Sequence, residues 1–327
     1  MPLLLTRKNV ESVLTMKETI AAVAEGFKQL ALGNVTMPQR TAIRVPDHKG
    51  LHLGMPAHIG GQQGALALKV VTVYPENPAK HGLPTTIGTL LLNDPRTGAL
   101  VAIMDAGFLT AMRTGAASGV ATRHLARAGA STVGIFGAGV MARTQLAAVC
   151  EVRSIREAFV YDPLPAARER FATDMAAQLG IPVRATEDPR ACAANEILCL
   201  ATSSKTPVLE DGWITAGTHI NGVGAHSADA REIGAELLGR AKVVTDHLPA
   251  CMAEAGELIL AIKEGKYDEG RIHASLGDIV AGSRPGRISD DEITFFKSVG
   301  LAVQDAATAA RVFELARASG VGTEVTV

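Results

Sequence analysis

The chain has 327 residues, 47% of them hydrophobic and 20% charged, with a formal net charge of −1 and a pI of about 6.8. That supplies apolar residues for one large or two medium cores and excludes a disordered chain. The near-neutral balance leaves no electrostatic footprint for nucleic acid or an anionic membrane, and no apolar stretch reaches the ~18 residues of a bilayer span.

The opening MPLLL is too short an apolar run for a signal peptide, so the cytoplasm is the expected compartment. Cys150, Cys192, Cys199 and Cys251 show no metal-ligand spacing and predict no metal site; most of them read as buried thiols. A short strand over Leu3–Leu5 precedes a helix over Thr15–Leu32, with Thr15 as N-cap and Gly33 just past its end. Strands follow at Thr41–Val45, Leu51–Met55, Ala65–Val73, Ile87–Asn93 and Val101–Met104. Turn-rich spacers separate them, one of them Gly60-Gly61-Gln62-Gln63-Gly64, which predicts hairpins in an antiparallel or mixed sheet. Ala106–Ala128 is an Ala-rich helix with Arg113-Thr114-Gly115 near its start.

From Thr132 strands and helices alternate. Strands are predicted at Val133–Phe136, Ala158–Asp162, Val183–Ala185, Ile197–Ala201, Thr218–Val223 and Lys242–Thr245, which predicts a doubly wound parallel sheet. A further strand, Ile293–Ser298, and a last helix, Ala302–Ala318, close the chain.

Gly137-Ala138-Gly139 lies between the first of these strands and a helix starting at Val140 and Met141. Strand, glycine turn and helix suit a dinucleotide: the glycines let a pyrophosphate lie against free N–H groups at the helix N-terminus. On pattern alone an ordinary tight turn is the alternative. Asp162 ends the second parallel strand, where a carboxylate accepts from a ribose and repels a 2′-phosphate, favouring NAD over NADP. A helix-capping aspartate is the alternative there. Thr202, Ser203 and Val223 end the fourth and fifth strands, beyond which a nicotinamide would lie.

Lys69 sits inside an apolar strand, on the face of Ala65, Ala67 and Val71. Lysine is rarely buried without a task, although an edge lysine can snorkel. Arg113 near a helix start and Arg40 before a strand are each ordinary surface charges alone. Together with Lys69 at a nucleotide site they suit a carboxylate substrate.

Met37-Pro38-Gln39-Arg40, Met55-Pro56-Ala57, Leu68-Lys69-Val70, Gly82 to Thr86, Asp94 to Gly98, Thr110 to Ala116, Gly137-Ala138-Gly139, Asn221 to Glu232 and Phe296 to Gly300 occur in an order that resembles the ornithine cyclodeaminase/mu-crystallin family, nearly end to end. The resemblance implies an α/β homodimer: a Rossmann domain, residues 118–304, inserted in an α+β substrate and dimerisation domain, residues 1–117 plus 305–327. It implies that Arg40 and Arg113 hold a substrate carboxylate, that Lys69 works at the amine or imine carbon, and that Val299 borders the substrate; Met55 is a further substrate-binding candidate if its side chain points inward. Thr114 and the glycine turn would bind the cofactor.

One position departs from the family's cyclodeaminases and alanine dehydrogenases, which bring an aspartate just past the Asn-x-x-Gly strand; the ketimine-reductase branch also lacks it. Here Gly224-Ala225 is followed by His226, and the nearest carboxylate is Asp229. The glutamate that cyclodeaminases tend to carry before Met-Pro is also missing, since His52-Leu53-Gly54 precedes Met55. Imine reduction needs an acid or cation at nitrogen, which Lys69 or His226 supplies, whereas cyclodeamination needs a carboxylate base. His226 could equally be a loop histidine pointing to solvent. The expectation is an NAD(H)-dependent imine reductase or L-amino-acid dehydrogenase acting on a small amino or imino acid. The alternatives are an ornithine cyclodeaminase using Asp229 and, more remotely, a nicotinamide-binding protein without turnover.

Overall fold

The computed structural model describes residues 1–61 and 64–326; Gln62 and Gln63 of the expected spacer lie outside the described residues. The chain forms two compact units, Met1–Arg113 with Leu301–Val327, and Thr114–Gly300.

In chain order the elements begin with β1 (Leu3–Leu5), α1 (Arg7–Val13), α2 (Met16–Ala31), β2 (Val35–Thr36), β3 (Thr41–Val45), β4 (Gly50–Ile59), β5 (Ala65–Val73), α3 (Asn77–His81), β6 (Thr86–Asn93), β7 (Leu100–Asp105) and α4 (Gly107–Leu125). The middle of the chain holds β8 (Thr132–Phe136), α5 (Val140–Val152), β9 (Glu157–Tyr161), α6 (Pro165–Leu179), β10 (Val183–Thr186), α7 (Pro189–Ala193), β11 (Ile197–Leu200), β12 (His219–Gly222) and α8 (Ala235–Arg240). There follow β13 (Ala241–Thr245), α9 (Leu248–Glu254), α10 (Gly256–Lys263), β14 (Ala274–Ser275), α11 (Leu276–Val280), β15 (Ile293–Lys297), α12 (Ala302–Ser319) and β16 (Thr323–Glu324).

The first unit is built on a mixed sheet in the order β16-β1-β7-β6-β5-β4-β2, with β3 also paired to β4. β4 to β7 run antiparallel to their neighbours, while β1 joins β7 in parallel. Burial alternates along β4 and β5, as a sheet with one covered face requires. α12 packs on β4 and β5 and against α2. The helices approach closely because Gly26 has no side chain: a Cβ there would stand 3.2 Å from Ala307 Cβ. Thr15 caps α2 by accepting from Glu18 N, and Gly33 follows with φ +76°.

The second unit is a parallel sheet in the order β10-β9-β8-β11-β12-β15-β13-β14. Its first five strands have the doubly wound order, with the reversal of strand order between β8 and β11. β11, β12 and β15 are buried at every position, so the polar side chains His219, Asn221, Thr294 and Lys297 are buried along with the apolar ones. Gly134 lies where a Cβ would meet Cys192 O at 2.1 Å, so α7 can press onto β8.

Three differences from the sequence reading have physical reasons. α1 was not expected, because it spans only 7 residues; a reciprocal Thr6 and Asn9 capping box starts it. α4 runs Gly107–Leu125 rather than Ala106–Ala128. Arg113 therefore stands in its second turn and not at an unfavourable first-turn position. The second parallel strand stops at Tyr161, which places Asp162 just past the strand end.

Candidate active site

In the first unit the sheet carries Lys69 on the central strand β5, between Met55 of β4 and Leu90 of β6 in register. It is 1% exposed and faces inward with Ala65, Ala67 and Val71, so it is neither on an edge nor snorkelling. Its Nζ lies 2.7 Å from Asp305 Oδ2 of α12. The other carboxylate oxygen accepts from Arg113 Nε at 2.9 Å, and Gln304 Oε1 accepts from Arg113 Nη1 at 2.8 Å. Burial pulls the Lys69 ammonium down to about 7; Asp305 opposes that, while Arg113 and Arg40 add to it. Arg40, half-buried ahead of β3, is thus close enough for its charge to act on Lys69. Two arginines and a lysine that titrates near neutrality give a centre able to bind a carboxylate and exchange a proton.

In the second unit the turn after β8 is shaped by Gly137, whose φ is +93° and whose Cβ would stand 2.6 Å from Ala201 O. Gly139 is the N-cap of α5, and a Cβ there would meet nothing within 4 Å. Val140 is 62% exposed beside it, so the first N–H groups of this 13-residue helix face open space. A pyrophosphate fits that geometry. Asp162 Oδ2 accepts from Ala138 N at 3.0 Å and Oδ1 from Leu164 N at 2.9 Å, so the carboxylate braces the turn. Arg168, not singled out from the sequence, donates to the Asp162 carbonyl at 3.1 Å. Thr114 stands on α4 beside Gly115, where a Cβ would press 2.4 Å from Thr144 backbone atoms of α5. Met141 is half-buried in the first turn of α5.

At the strand ends a residue missed by sequence reasoning organises the loops. Glu232 Oε1 accepts from Thr202 N and Oγ1, both at 2.8 Å, and its Oε2 accepts from Gly224 N at 2.8 Å and Ala225 N at 3.3 Å. Burial pushes its carboxyl up, opposed by Lys297 and the Thr202 donors. Beneath it Glu257 accepts from Glu232 N at 3.1 Å and pairs with Lys297, whose Nζ donates to Ala225 O at 2.5 Å. Val223 is half-buried and Ser203 exposed at these ends. Val299 is buried, and its N–H donates to Asp246 Oδ2 at 2.8 Å.

His226 is exposed, and its Nδ1 donates to Gly224 O at 2.9 Å. Asp229 is exposed too; it accepts from Ser227 Oγ at 2.8 Å and from Lys205 Nζ at 3.0 Å, which hold its carboxyl below the usual range. Among the described residues no group of three His, Cys, Asp or Glu side chains could hold a metal, and no helix is long and apolar enough to cross a membrane.

Asp305 escaped the sequence because its partners are remote, and Glu232 because its bonds to Thr202, Gly224 and Ala225 join two loops 30, 8 and 7 residues away with no local periodicity to mark them. Asp305 reads as a first-turn helix acid, and 192 residues separate it from Arg113. The signal that existed was indirect: buried cations require a counter-charge.

The doubly wound sheet, the open glycine turn and the strand-end carboxylate define a Rossmann-type nucleotide-binding fold. The chain belongs to the ornithine cyclodeaminase/mu-crystallin family, whose model matches residues 1–320. The Δ1-pyrroline-2-carboxylate reductase of Thermococcus litoralis, solved in complex with NADH and L-proline, is similar at 49% identity and a TM-score of 0.95, covering 99% of this chain and 100% of the other. The alanine dehydrogenase of Archaeoglobus fulgidus is 39% identical over 324 residues, 99% of this chain and 98% of that relative. A Δ1-pyrroline-2-carboxylate reductase of Bacillus thuringiensis is 36% identical over 325 residues, 99% of each.

Proposed function

We propose that this chain is an NAD(H)-dependent oxidoreductase that reduces the imine of a small, cyclic α-imino acid, or oxidises the matching L-amino acid. The observation that carries this reading is the buried Lys69 on an apolar sheet face, with Arg113 alongside. The relatives named for pyrroline-2-carboxylate reduction and alanine oxidation support it.

In this reading Arg113 and Arg40 bind the substrate carboxylate. Lys69 gives a proton to the imine nitrogen during reduction and takes it back during oxidation. The cofactor, held by Gly137, Gly139 and the first turn of α5, supplies or accepts the hydride at Cα. Met55 and Leu90, flanking Lys69 in register, offer apolar contact to a ring. Asp162 favours NAD, since a 2′-phosphate would meet its carboxylate. Val299 borders the substrate, and Thr114, Thr202, Ser203 and Val223 line the cofactor site. His226 is a solvent-side loop residue and not the proton donor.

An ornithine side chain brings a second ammonium that needs a carboxylate. Among the described residues Asp305 is the one buried acid of the first unit, and it is already paired twice. Asp229 is held by Lys205 and Ser227. These features disfavour cyclodeamination. The reading also includes the cytoplasm as compartment and a homodimer, the latter supported by one apolar row across the outer face of the mixed sheet: Leu4, Ile103, Leu91, Leu68 and Pro56 in register.

The test is a substrate screen. NADH should be consumed with Δ1-pyrroline-2-carboxylate or Δ1-piperideine-2-carboxylate. No consumption with these imines, nor with pyruvate plus ammonia, at any pH would overturn the reading.

A further inference from the structure

The first turn of α12 contributes two polar side chains to the Lys69 centre. Asp305 is 1% exposed and takes one cation on each oxygen, Lys69 at 2.7 Å and Arg113 at 2.9 Å. Gln304 Oε1 accepts from both Arg113 Nη1 and Leu301 N, which fixes its amide with the oxygen toward Arg113. Its Nε2 is then a buried donor with no hydrogen-bond partner among the described residues. Stability alone does not call for such a cluster, since apolar packing commonly does as well as a buried ion pair. An unspent buried donor on a side chain bonded to Arg113 suits an anionic ligand.

We propose that Asp305 is a positioning residue for the reaction: its carboxylate keeps Lys69 an ammonium ready for the substrate nitrogen and turns Arg113 toward the substrate carboxylate. This rests on the imine-reducing reading above. The charged groups facing Lys69 are Asp305 from α12, Arg113 from α4 and Arg40 ahead of β3; β4 and β6 present only Met55 and Leu90 in register. Burial and both arginines disfavour the ammonium, and Asp305 alone favours it. In the reductive step the N–H bond of Lys69 breaks and its proton goes to the imine nitrogen. The π pair of the C=N bond becomes the new N–H pair as Cα gains the hydride and its electrons. Lys69 is left neutral and is reprotonated from water.

The test uses Asp305→Asn, Asp305→Glu and Lys69→Arg. Binding of pyrrole-2-carboxylate, a planar carboxylate probe, is measured by calorimetry on the cofactor-free protein from about pH 5.5 to 9, alongside kcat/KM for imine reduction. Wild-type affinity should decline above about pH 7, as Lys69 loses its proton. In Asp305→Asn the decline, and with it the alkaline limb of kcat/KM, should move roughly one pH unit or more lower, because the one favouring charge is gone. Asp305→Glu should restore the wild-type midpoint. Lys69→Arg, a permanent cation, should bind the probe without decline and lose activity by about 100-fold or more. If Asp305→Asn does not fold, the other two variants decide.

A decline at the same pH in Asp305→Asn, or a decline persisting in Lys69→Arg, would overturn the role of Asp305 while leaving the imine-reducing reading intact. A wild-type protein that binds no probe at any pH would overturn both.

Discussion

Glu232 accepts four hydrogen bonds from two separate strand-end loops, so one carboxylate sets where both loops stand. Gly224 must be glycine for that to happen: a Cβ would stand 2.3 Å from Glu232 Oε1 and 2.4 Å from Thr202 O. Glu232→Gln places an amide N–H group against a donor and removes the charge from the other bonds. NADH affinity should then fall by roughly tenfold or more, the equivalent of one charged hydrogen bond, as read by fluorescence titration. Unchanged affinity would show that the loops hold their place without Glu232. At Asp162 the expectation concerns discrimination. Asp162→Ala removes the carboxylate that would face the ribose, with Arg168 close by. The preference for NADH over NADPH in kcat/KM should shrink by about tenfold or more, a loss of ~1.4 kcal/mol. An unaltered ratio would place the ribose elsewhere.

Among the elements, β8, its turn and α5 were the most readable part of the chain, because glycine spacing and apolar periodicity are local signals. Gly137→Ala forces a Cβ against Ala201 O at a φ of +93°. It should lower stability by about 1–3 kcal/mol in denaturant unfolding, and a neutral outcome would contradict the tight turn. β12 carries a buried feature that no local pattern reveals. His219 is fully buried, with Nδ1 2.9 Å from Thr294 Oγ1 and Nε2 3.2 Å from Asn221 Oδ1. Burial first, and then Arg287, push its imidazole down from 6.5 to about 3. The unfolded chain therefore takes up a proton that the folded chain refuses. Stability from this group is present above pH 6.5 and is lost as pH falls from there to about 3, by up to ~1.4 kcal/mol per unit. His219→Gln should flatten the acid slope of urea unfolding over that window; an identical slope would assign the acid sensitivity to carboxylates.

For the whole molecule, the readable and unreadable parts divide by sequence distance. The alternation of strands and helices from Thr132, the hairpins before it and the inward face of Lys69 follow from periodicity within a few residues. The counter-ion of Lys69 does not, because α12 returns to the first sheet only after the whole second unit has been made. The same applies to Lys297, which reads as the polar end of a strand and is fully buried against Glu257. His226 looked chemically apt from its place in the loop, yet its exposure depends on how Glu232 and Lys297 fix the residues before it. The row from Leu4 to Pro56 lies on the sheet face opposite the inward Lys69 side, and in the proposed homodimer a second copy covers it. Light scattering should give twice the chain mass of 34.0 kDa, and Leu68→Lys with Leu91→Lys should shift it toward the monomer. A wild-type monomer would contradict that use of the face.

Imine reduction and ornithine cyclisation make opposite demands on the Lys69 centre, and the proposed activity is the first. The most direct measurement follows NADH absorbance and released ammonia together, with Δ1-pyrroline-2-carboxylate in one cuvette and L-ornithine plus NAD in the other. Stoichiometric NADH loss is expected with the imine, abolished in Lys69→Ala, and no ammonia is expected from ornithine. Ammonia released from ornithine without net change in the nicotinamide, and no NADH loss with the imine, would contradict the proposed activity.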